Sequence, residues 1–237
     1  MPKAPFSFPN SSPLVVGSIG DADTLAAATP ESLAKECDIA EIRLDLLHRE
    51  FFTSGAALWQ HLLPFPLLFT ARCHSEGSPF DLDLETRIRM LTTALPDASL
   101  IDIEAMSASA MGELVREIIS KDIPWVASYH DFLRLPSRMK LDTHAEIARE
   151  AGATAFKAAA RMQTPADITE LASFQMSDVG IPLATMGMGD LAPVSRLLCA
   201  QVGSVLNYGY IGEKETAPGQ WSASRLRECI RSLKPIR

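Results

Sequence analysis

Lys157 is the only charged residue in the otherwise small and apolar segment 151–160. A lone lysine at a strand end usually lays its stem along apolar surface and keeps its ammonium in water. Small neighbours offer the stem little surface, and a buried ammonium is costly unless its pKa falls. Burial and nearby cations lower a lysine pKa from its usual value of about 10.4, as an imine-forming nucleophile requires. We therefore predict that Lys157 is a catalytic nucleophile.

His130 has the right chemistry for a general base. An unperturbed histidine has a pKa of about 6.5, so it can take and return a proton near pH 7. The remaining histidines fall in helix-like or loop segments, where surface or packing roles are expected; they are His48, His61, His74 and His144. We predict that His130 moves the proton in the reaction.

Polar residues recur where the predicted strands end. Glu41, Arg43 and Asp45 share one face of a strand, because side chains two apart point the same way. In a one-sided antiparallel sheet that face would lie in water, but both faces of a parallel sheet are covered. The pattern repeats in the pairs Thr70 and Arg72, Asp102 and Glu104, and Ser128 and His130. We predict that these side chains converge on a polar, anionic small molecule.

Short apolar runs alternate with longer amphipathic ones along the whole chain. The predicted strands span about residues 14–19, 38–45, 66–72, 99–104, 124–130, 154–158, 181–186 and 204–207. The predicted helices span about residues 21–36, 54–63, 83–94, 110–120, 142–151, 165–177, 193–201 and 220–233. Thr164 followed by Pro165 predicts a capped helix start, and Asp142 predicts another.

This alternation predicts an α/β fold, a (β/α)8 TIM barrel that forms a single domain over residues 1–237. An open doubly wound sheet is the alternative architecture. If such a sheet bound a dinucleotide it would usually carry a glycine-rich first turn, which segment 17–22 lacks. In a barrel of this kind, the polar strand ends would form the active site.

Composition excludes several classes of function. The net charge of −7 argues against nucleic-acid and acidic-membrane partners. The four cysteines form no CxxC pair, so neither a metal site nor a disulfide framework is indicated. Apolar stretches long enough to cross a membrane are lacking, and segment 1–12 does not read as a signal peptide. The simplest reading is a cytoplasmic protein.

Taken in order, these segments resemble the type I 3-dehydroquinate dehydratase family over nearly the whole chain. The matching segments are 41–45, 70–72 with 76–77, 102–104, 128–132, 156–158, 186–189 with 195–196, and 217–220. Each is weak singly, but together, in family order and with both Lys157 and His130, they make a specific match. The resemblance implies a (β/α)8 barrel, commonly a homodimer, that works in the shikimate pathway without metal or organic cofactor.

The implied reaction is a carbon–oxygen lyase reaction, in which 3-dehydroquinate loses water to give 3-dehydroshikimate. The resemblance implies that Lys157 forms the imine and that His130 transfers the proton. It also implies that Glu76 orients His130. The implied substrate-binding residues are Glu41, Arg43, Arg72, Met186, Arg196, Thr216, Ala217 and Gln220. Among these, Arg196 is expected to hold the substrate carboxylate and Gln220 to close over the substrate.

The chain departs from the family pattern at a few positions. Ser78 stands where a second glycine is usual, Thr216 where serine is common, and Tyr208 where phenylalanine is frequent. The segment before the first strand is also short for a member with an N-terminal β-hairpin. Two glycine-bearing loops at the predicted catalytic rim, 73–81 and 209–220, are lid candidates. The departures concern these lid loops, the pocket wall and the base of the barrel more than the chemistry.

Two other functions fit some of the same residues. An aldolase that forms a lysine imine with a sugar phosphate would bind phosphate after the seventh and eighth strands, where Gly187 and Gly189 lie. Arg196 and the lid motif fit a carboxylate better. A non-catalytic module that senses the same metabolite is the other alternative, and the intact pair of Lys157 and His130 argues against it.

Overall fold

The computed structural model describes residues 13–234. The strands are β1 Leu14–Ile19, β2 Ile39–Arg43, β3 Leu67–Thr70, β4 Leu100–Glu104, β5 Trp125–Asp131, β6 Ala155–Arg161, β7 Leu183–Met188 and β8 Leu206–Tyr210. The helices are α1 Ala22–Ala27, α2 Pro30–Glu36, α3 His48–Ser54, α4 Leu84–Ala94, α5 Gly112–Ser120, α6 Arg138–Glu150, α7 Pro165–Gln175, α8 Ala192–Gln201 and α9 Ala223–Ser232. The N-terminal segment expected to be short for a hairpin lies outside the described residues.

The strands form one parallel sheet in the order β7-β6-β5-β4-β3-β2-β1-β8. The ends of this order, β7 and β8, approach each other at the base, where Val205 N–H donates to the carbonyl of Leu183 at 2.9 Å. The sheet is therefore a nearly closed barrel, and the predicted (β/α)8 fold is confirmed. No helix within residues 13–234 is long and apolar enough to cross a membrane.

The inward faces of the strands change character from base to top. The base is filled by an apolar layer in which Ile39, Leu68, Leu100 and Val126 pack together. Further along the same strands, inward positions carry charged and polar side chains, because residues two apart share a face. β4 illustrates the change, since Leu100 is followed inward by Asp102 and Glu104. The polar end of the barrel is thus its carboxyl-terminal end, where active sites of this fold lie.

Proline explains two places where the helix predictions were wrong. The predicted helix 21–36 is split into α1 and α2 at Pro30. A proline disfavours helical backbone at the residue before it, which here is Thr29. Thr29 instead caps α2, and its side chain accepts a hydrogen bond from Ser32 N. α6 begins after Ser137, which caps the helix behind Pro136, and not at Asp142.

One further helix prediction was also wrong. The region predicted as helix 54–63 contains the end of α3 followed by two short 3-10 turns, Gly55–Leu58 and Gln60–Leu62. By contrast, α7 begins at Pro165 behind Thr164, as predicted.

β6 extends further than its sequence suggests, and this moves Lys157 away from a strand end. The strand was predicted over residues 154–158, but its pairing with β7 continues as far as Arg161 opposite Met188. Lys157 is consequently the third residue of β6, paired with Ser128 on one side and Ala184 on the other. Alanines favour strands weakly, so pairing between two neighbouring strands decides the conformation here.

Candidate active site

The residues that were given a catalytic or substrate-binding role all line one cavity at the carboxyl-terminal end of the barrel. The other polar residues predicted to converge there are buried but do not line it; they are Asp45, Thr70, Asp102, Glu104 and Ser128. The empty space among the lining atoms of the cavity, with the open solvent at its mouth included, is about 480 Å³. The predicted residues that line it are Glu41, Arg43, Arg72, Glu76, His130, Lys157, Met186, Arg196, Thr216, Ala217 and Gln220. Strand spacing and local chemistry indicated Glu41, Arg43, Arg72, His130 and Lys157, and the family resemblance indicated the others; the structure brings both sets to one place.

Lys157 lies deep in this cavity, with 4% of its surface exposed. Its Nζ is 3.1 Å from Oδ2 of Asp102 and stands 4.0 Å from the centre of the Tyr208 ring. Burial lowers the pKa of Lys157, the carboxylates of Asp102 and Glu41 oppose that change, and the charge of Arg72 adds to it. The lowered pKa favours the neutral amine more than in a free lysine, and the neutral amine is the form that attacks a carbonyl carbon.

Asp102 connects Lys157 to Arg72. Its Oδ1 accepts hydrogen bonds from Arg72 Nη2 at 2.7 Å and from Ser128 Oγ at 2.6 Å. Burial alone would raise the pKa of Asp102, but Arg72 and Lys157 lower it to about 2. Asp102 is therefore a carboxylate throughout the physiological range and a fixed negative charge beside the amine.

His130, on the strand next to that of Lys157, forms a pair with Glu76. One oxygen of Glu76, Oε2, accepts from His130 N–H at 2.9 Å and lies 3.0 Å from His130 Nδ1. This contact fixes the ring and leaves Nε2 as the nitrogen available for proton exchange. Burial, together with the charges of Arg72 and Lys157, holds the pKa of His130 well below its usual value. The imidazole is thus neutral and ready to accept a proton.

Glu76 should make the protein less stable as the pH rises. Burial, reinforced by the Glu104 carboxylate, raises its pKa from 4.5 to about 8. The folded state then holds a proton that the unfolded state has lost, so stability falls with rising pH. His130 has a lowered pKa, so below its ordinary pKa of 6.5 it makes stability rise with pH and opposes the effect of Glu76. The effect of Glu76 is therefore measured between pH 6.5 and pH 8.

We expect Glu76→Gln to remove this pH dependence. Between pH 6.5 and 8 the free energy of unfolding of the parent should fall relative to the variant, by up to about 1.4 kcal/mol per pH unit. Urea unfolding followed by circular dichroism at several pH values measures the difference. Parallel curves for the two proteins would show that Glu76 is ionised in the folded state.

Glu41 and Arg43 enter the cavity from β2 with their positions already fixed. Glu41 accepts hydrogen bonds from the hydroxyls of Ser18 and Thr70, the latter at 2.7 Å. Arg43 makes a two-point contact with Asp45, at 2.9 Å through Nε and 2.7 Å through Nη2. Both charges are thus oriented by side chains around them before any ligand arrives.

Arg196 stands out among the arginines of the cavity, because within residues 13–234 no carboxylate lies within ion-pair distance of it. It is 2% exposed, and it donates instead to the carbonyls of Gly187, at 3.2 Å, and Tyr208, at 2.5 Å. Burial lowers its pKa to about 10. A buried cation without a counter-ion is costly, so an anionic ligand group is the natural complement.

The loop after β8 covers the mouth of the cavity. Gln220 Oε1 accepts from both the backbone N–H and the hydroxyl of Thr216, at 3.0 Å and 2.9 Å. Gly189 N–H donates to Pro218 O at 3.0 Å, which ties the loop to the end of β7. Gly219 has φ +73°, and a Cβ there would lie 2.1 Å from the carbonyl oxygen of Gly189. Only glycine fits this close approach.

Sequence reasoning gave no role to one buried residue behind the lining, Asp102, and to several residues of the lining itself. Asp102 was recognised as a polar strand end but was given no role, although it contacts Lys157 directly. Ser18 is the inward neighbour of Glu41, and only its position two residues after Val16 on β1 could have indicated this. The other unassigned lining residues are Gly77, Phe132, Ala159, Met188 and Tyr208. Within residues 13–234, no group of three or more His, Cys, Asp or Glu side chains is arranged to hold a metal ion.

Tyr208 carries a buried hydroxyl that has no hydrogen-bond partner among the described residues. Leaving such a group unsatisfied costs about 1–3 kcal/mol. We therefore expect Tyr208→Phe to raise the free energy of unfolding by about 1 kcal/mol, measured by urea unfolding at pH 7. Tyr210→Phe, two residues along the same strand at a half-buried position, is the control and should leave stability nearly unchanged. Destabilisation by Tyr208→Phe would mean that the hydroxyl has a favourable contact.

A family model described as Type I 3-dehydroquinase matches residues 16–237. The chain belongs to the type I 3-dehydroquinase family. Among curated relatives of this family, 3-dehydroquinate dehydratase of Methanothrix thermoacetophila is 34% identical over 226 residues, which cover 93% of this chain and 92% of that protein. Catabolic 3-dehydroquinate dehydratase of Acinetobacter baylyi is 31% identical, with 89% of this chain and 81% of that protein covered. The predicted family, an enzyme family of hydro-lyases, is confirmed.

Solved structures of the same family share the fold. The 3-dehydroquinate dehydratase of Enterococcus faecalis superposes with a TM-score of 0.80 at 24% identity and covers 95% of both chains. That of Geobacillus kaustophilus superposes with a TM-score of 0.79 at 24% identity, covering 93% of this chain and 90% of that one. At this level of identity the likeness supports the barrel itself, while the family assignment rests on the sequence comparisons.

Proposed function

We propose that the chain is a 3-dehydroquinate dehydratase that converts 3-dehydroquinate to 3-dehydroshikimate and water through a Schiff base on Lys157. The observation that carries this proposal is a buried lysine with a lowered pKa. It shares one cavity with the Glu76–His130 pair and with Arg196, which has no carboxylate partner within residues 13–234. Nucleophile, base and anion site are the parts that this reaction needs.

In the first step, the neutral amine of Lys157 attacks the C3 ketone of the substrate. Loss of water from the carbinolamine gives an iminium ion, with nitrogen bonded to C3. The positive charge draws electrons from the neighbouring C2–H bond and so acidifies that hydrogen. Asp102, 3.1 Å from Nζ, is placed to balance the charge of the iminium.

In the second step, His130 takes the C2 proton, and the electron pair moves into the ring and toward the imine nitrogen. His130, now an imidazolium, returns a proton to the C1 hydroxyl, which leaves as water as the electrons form the C1–C2 double bond. Water then hydrolyses the product imine and regenerates the amine of Lys157. Glu76 holds the imidazole through Nδ1, so that Nε2 does both transfers.

Arginines and the lid residues bind the substrate in this proposal. Arg196 takes the carboxylate, because it has two strand carbonyls to orient it and no carboxylate partner among residues 13–234. Glu41 and Arg43 take ring hydroxyls, and Arg72 orders Asp102. Thr216, Ala217 and Gln220 close over the substrate, and Met186 forms part of the wall. We further expect a cytoplasmic homodimer.

Borohydride trapping tests the proposal. Sodium borohydride reduces an imine to a stable secondary amine, so the protein incubated with 3-dehydroquinate should gain the mass of one bound substrate or product less one oxygen atom, because condensation releases water and reduction adds two hydrogens. Peptide mapping should place the adduct on Lys157. The same treatment without substrate is the control and should leave the mass unchanged. If the treated protein carries no adduct, or carries it on another lysine, the proposed mechanism is wrong.

The two alternatives are separated by substrate and by turnover. An aldolase would trap a sugar phosphate and not 3-dehydroquinate. A non-catalytic sensor would bind the ligand without producing the conjugated enone, whose ultraviolet absorbance reports turnover.

A further inference from the structure

A row of alternating buried charges runs from helix α4 to the amine in the cavity. We call it the charge chain and define it as Arg87, Glu104, Arg72, Asp102 and Lys157. Arg87 Nη2 pairs with Oε2 of Glu104, and Glu104 Oε1 lies 3.0 Å from Arg72 Nη1. Arg72 Nη2 lies 2.7 Å from Asp102 Oδ1, and Asp102 Oδ2 lies 3.1 Å from Lys157 Nζ. Every neighbour in the chain is therefore of opposite sign and in contact.

Solvent barely reaches the charge chain. Each of its residues has at most 4% of its surface exposed. Salt and water screen exposed charges over about 8–10 Å, but they screen buried ones much less. Removing a charge at one end of the charge chain therefore changes the electrostatic potential at the other end.

The proposed chemistry uses neither Glu104 nor Arg87, and Arg87 is the member farthest along the charge chain from Lys157. It belongs to α4 and is absent from the lining of the cavity. Its Nε donates to the carbonyl of Ala71 at 2.7 Å, which fixes the guanidinium beside Glu104. Buried ion pairs are often no more stabilising than apolar residues of the same size. Stability alone is thus a weak reason for an arginine at this position.

We propose, on the basis of the proposed function, that Arg87 is a positioning residue that shifts the equilibrium of Lys157 from the ammonium toward the neutral amine that attacks the substrate. Glu104 contacts both Arg72 and Arg87, so its negative charge is balanced from two sides. Without Arg87, the chain would carry one more net negative charge. The added negative potential would favour the ammonium form of Lys157, and less of the nucleophilic amine would be present near pH 7.

Other groups also face Lys157, and they stay in place when Arg87 is changed. From β2 comes Glu41, from β5 His130, and from β8 Tyr208, in addition to Arg72 and Asp102 from the charge chain. β7 presents Ala184 opposite the lysine in the register of the sheet and adds no charge there. A shift caused by Arg87→Met can accordingly be assigned to the charge chain.

Carbon-13 NMR of protein labelled at the lysine Cε position tests the inference without relying on turnover. The chemical shift of Lys157 is followed against pH, and its resonance is assigned by its absence from Lys157→Met. We expect Arg87→Met to raise the pKa of Lys157 by about 0.5 to 1 pH unit. Arg87→Lys, which restores the positive charge, should return it toward the parent value. The pH profile of kcat/KM should move in the same direction.

The matched control is Arg89→Met, which removes the same charge from the exposed face of the same helix. It should leave the titration of Lys157 unchanged. If Arg87→Met does not fold, Arg87→Met combined with Glu104→Gln removes both charges together and avoids a stranded carboxylate. In that double variant, the pKa of Lys157 should lie at or below the parent value, because the nearer negative charge is gone.

An unshifted titration in folded Arg87→Met, or an equal shift in Arg89→Met, would overturn the inference. So would a pKa above the parent value in the double variant. These outcomes are distinct from failure of the proposed function. Borohydride trapping in the parent protein reports on the imine, whereas the titration reports on the charge chain in the free protein.

Discussion

Replacing Lys157 with methionine is expected to abolish turnover, with a loss of at least about four orders of magnitude, and to abolish the borohydride adduct. Methionine fills much the same space but has no amine to attack a ketone. The fold should persist, because Asp102 keeps its contacts with Arg72 and Ser128. The variant therefore isolates the nucleophile from the rest of the site.

Turnover of Lys157→Met is measured from the ultraviolet absorbance of the enone product. Lys140→Met is the matched control, since that lysine is exposed on α6 and lies outside the cavity. It should leave turnover and trapping intact. Residual turnover of Lys157→Met within about a hundredfold of the parent would show that the reaction proceeds without the imine.

Replacing His130 with glutamine is expected to lower kcat by about 10² to 10⁴-fold while leaving imine formation possible. Glutamine keeps a polar side chain of similar reach but cannot take up a proton near pH 7. Lys157 and Arg196 remain, so substrate should still bind and condense. The trapped species should then carry the mass of reduced substrate with its C1 hydroxyl, because loss of water from C1 awaits proton transfer.

Mass spectrometry of the trapped His130→Gln protein distinguishes the two imines, which differ by one water. His74→Gln is the control, because that histidine lies in the same loop as Glu76 but contacts the Ser78 carbonyl through Nδ1. It should behave like the parent. Rapid accumulation of the dehydrated adduct in His130→Gln would assign proton transfer to another group.

Local pattern was enough to predict some of the side chains that meet in the cavity, and the family resemblance supplied the others. Strand side chains alternate, and the carboxyl ends of parallel strands share one end of the barrel. Glu41 on β2, Arg72 after β3 and His130 on β5 could therefore be placed together from spacing alone. Lys157 was predicted on chemical grounds, because a single lysine among small apolar residues is costly to bury unless its pKa falls.

What the sequence could not provide depends on partners distant along the chain. The length of β6 is set by pairing with β5 and β7, so Lys157 was expected at a strand end and lies inside the strand. Arg87 has no local signature, because it reaches Glu104 only after α4 packs beside β4. The contact of Asp102 with Lys157 likewise joins residues 55 positions apart.

Arg196 has a second task that follows from the order of the strands. β7 and β8 end the hydrogen-bonded order of the sheet, and the guanidinium of Arg196 contacts a carbonyl on each, Gly187 and Tyr208. It therefore bridges the seam at which the cylinder closes, just where the substrate carboxylate is expected to dock. Shortening this side chain would remove both the charge that is expected to bind the substrate carboxylate and the link between β7 and β8. Affinity for the substrate and rigidity of the barrel wall at this seam are therefore coupled through one residue.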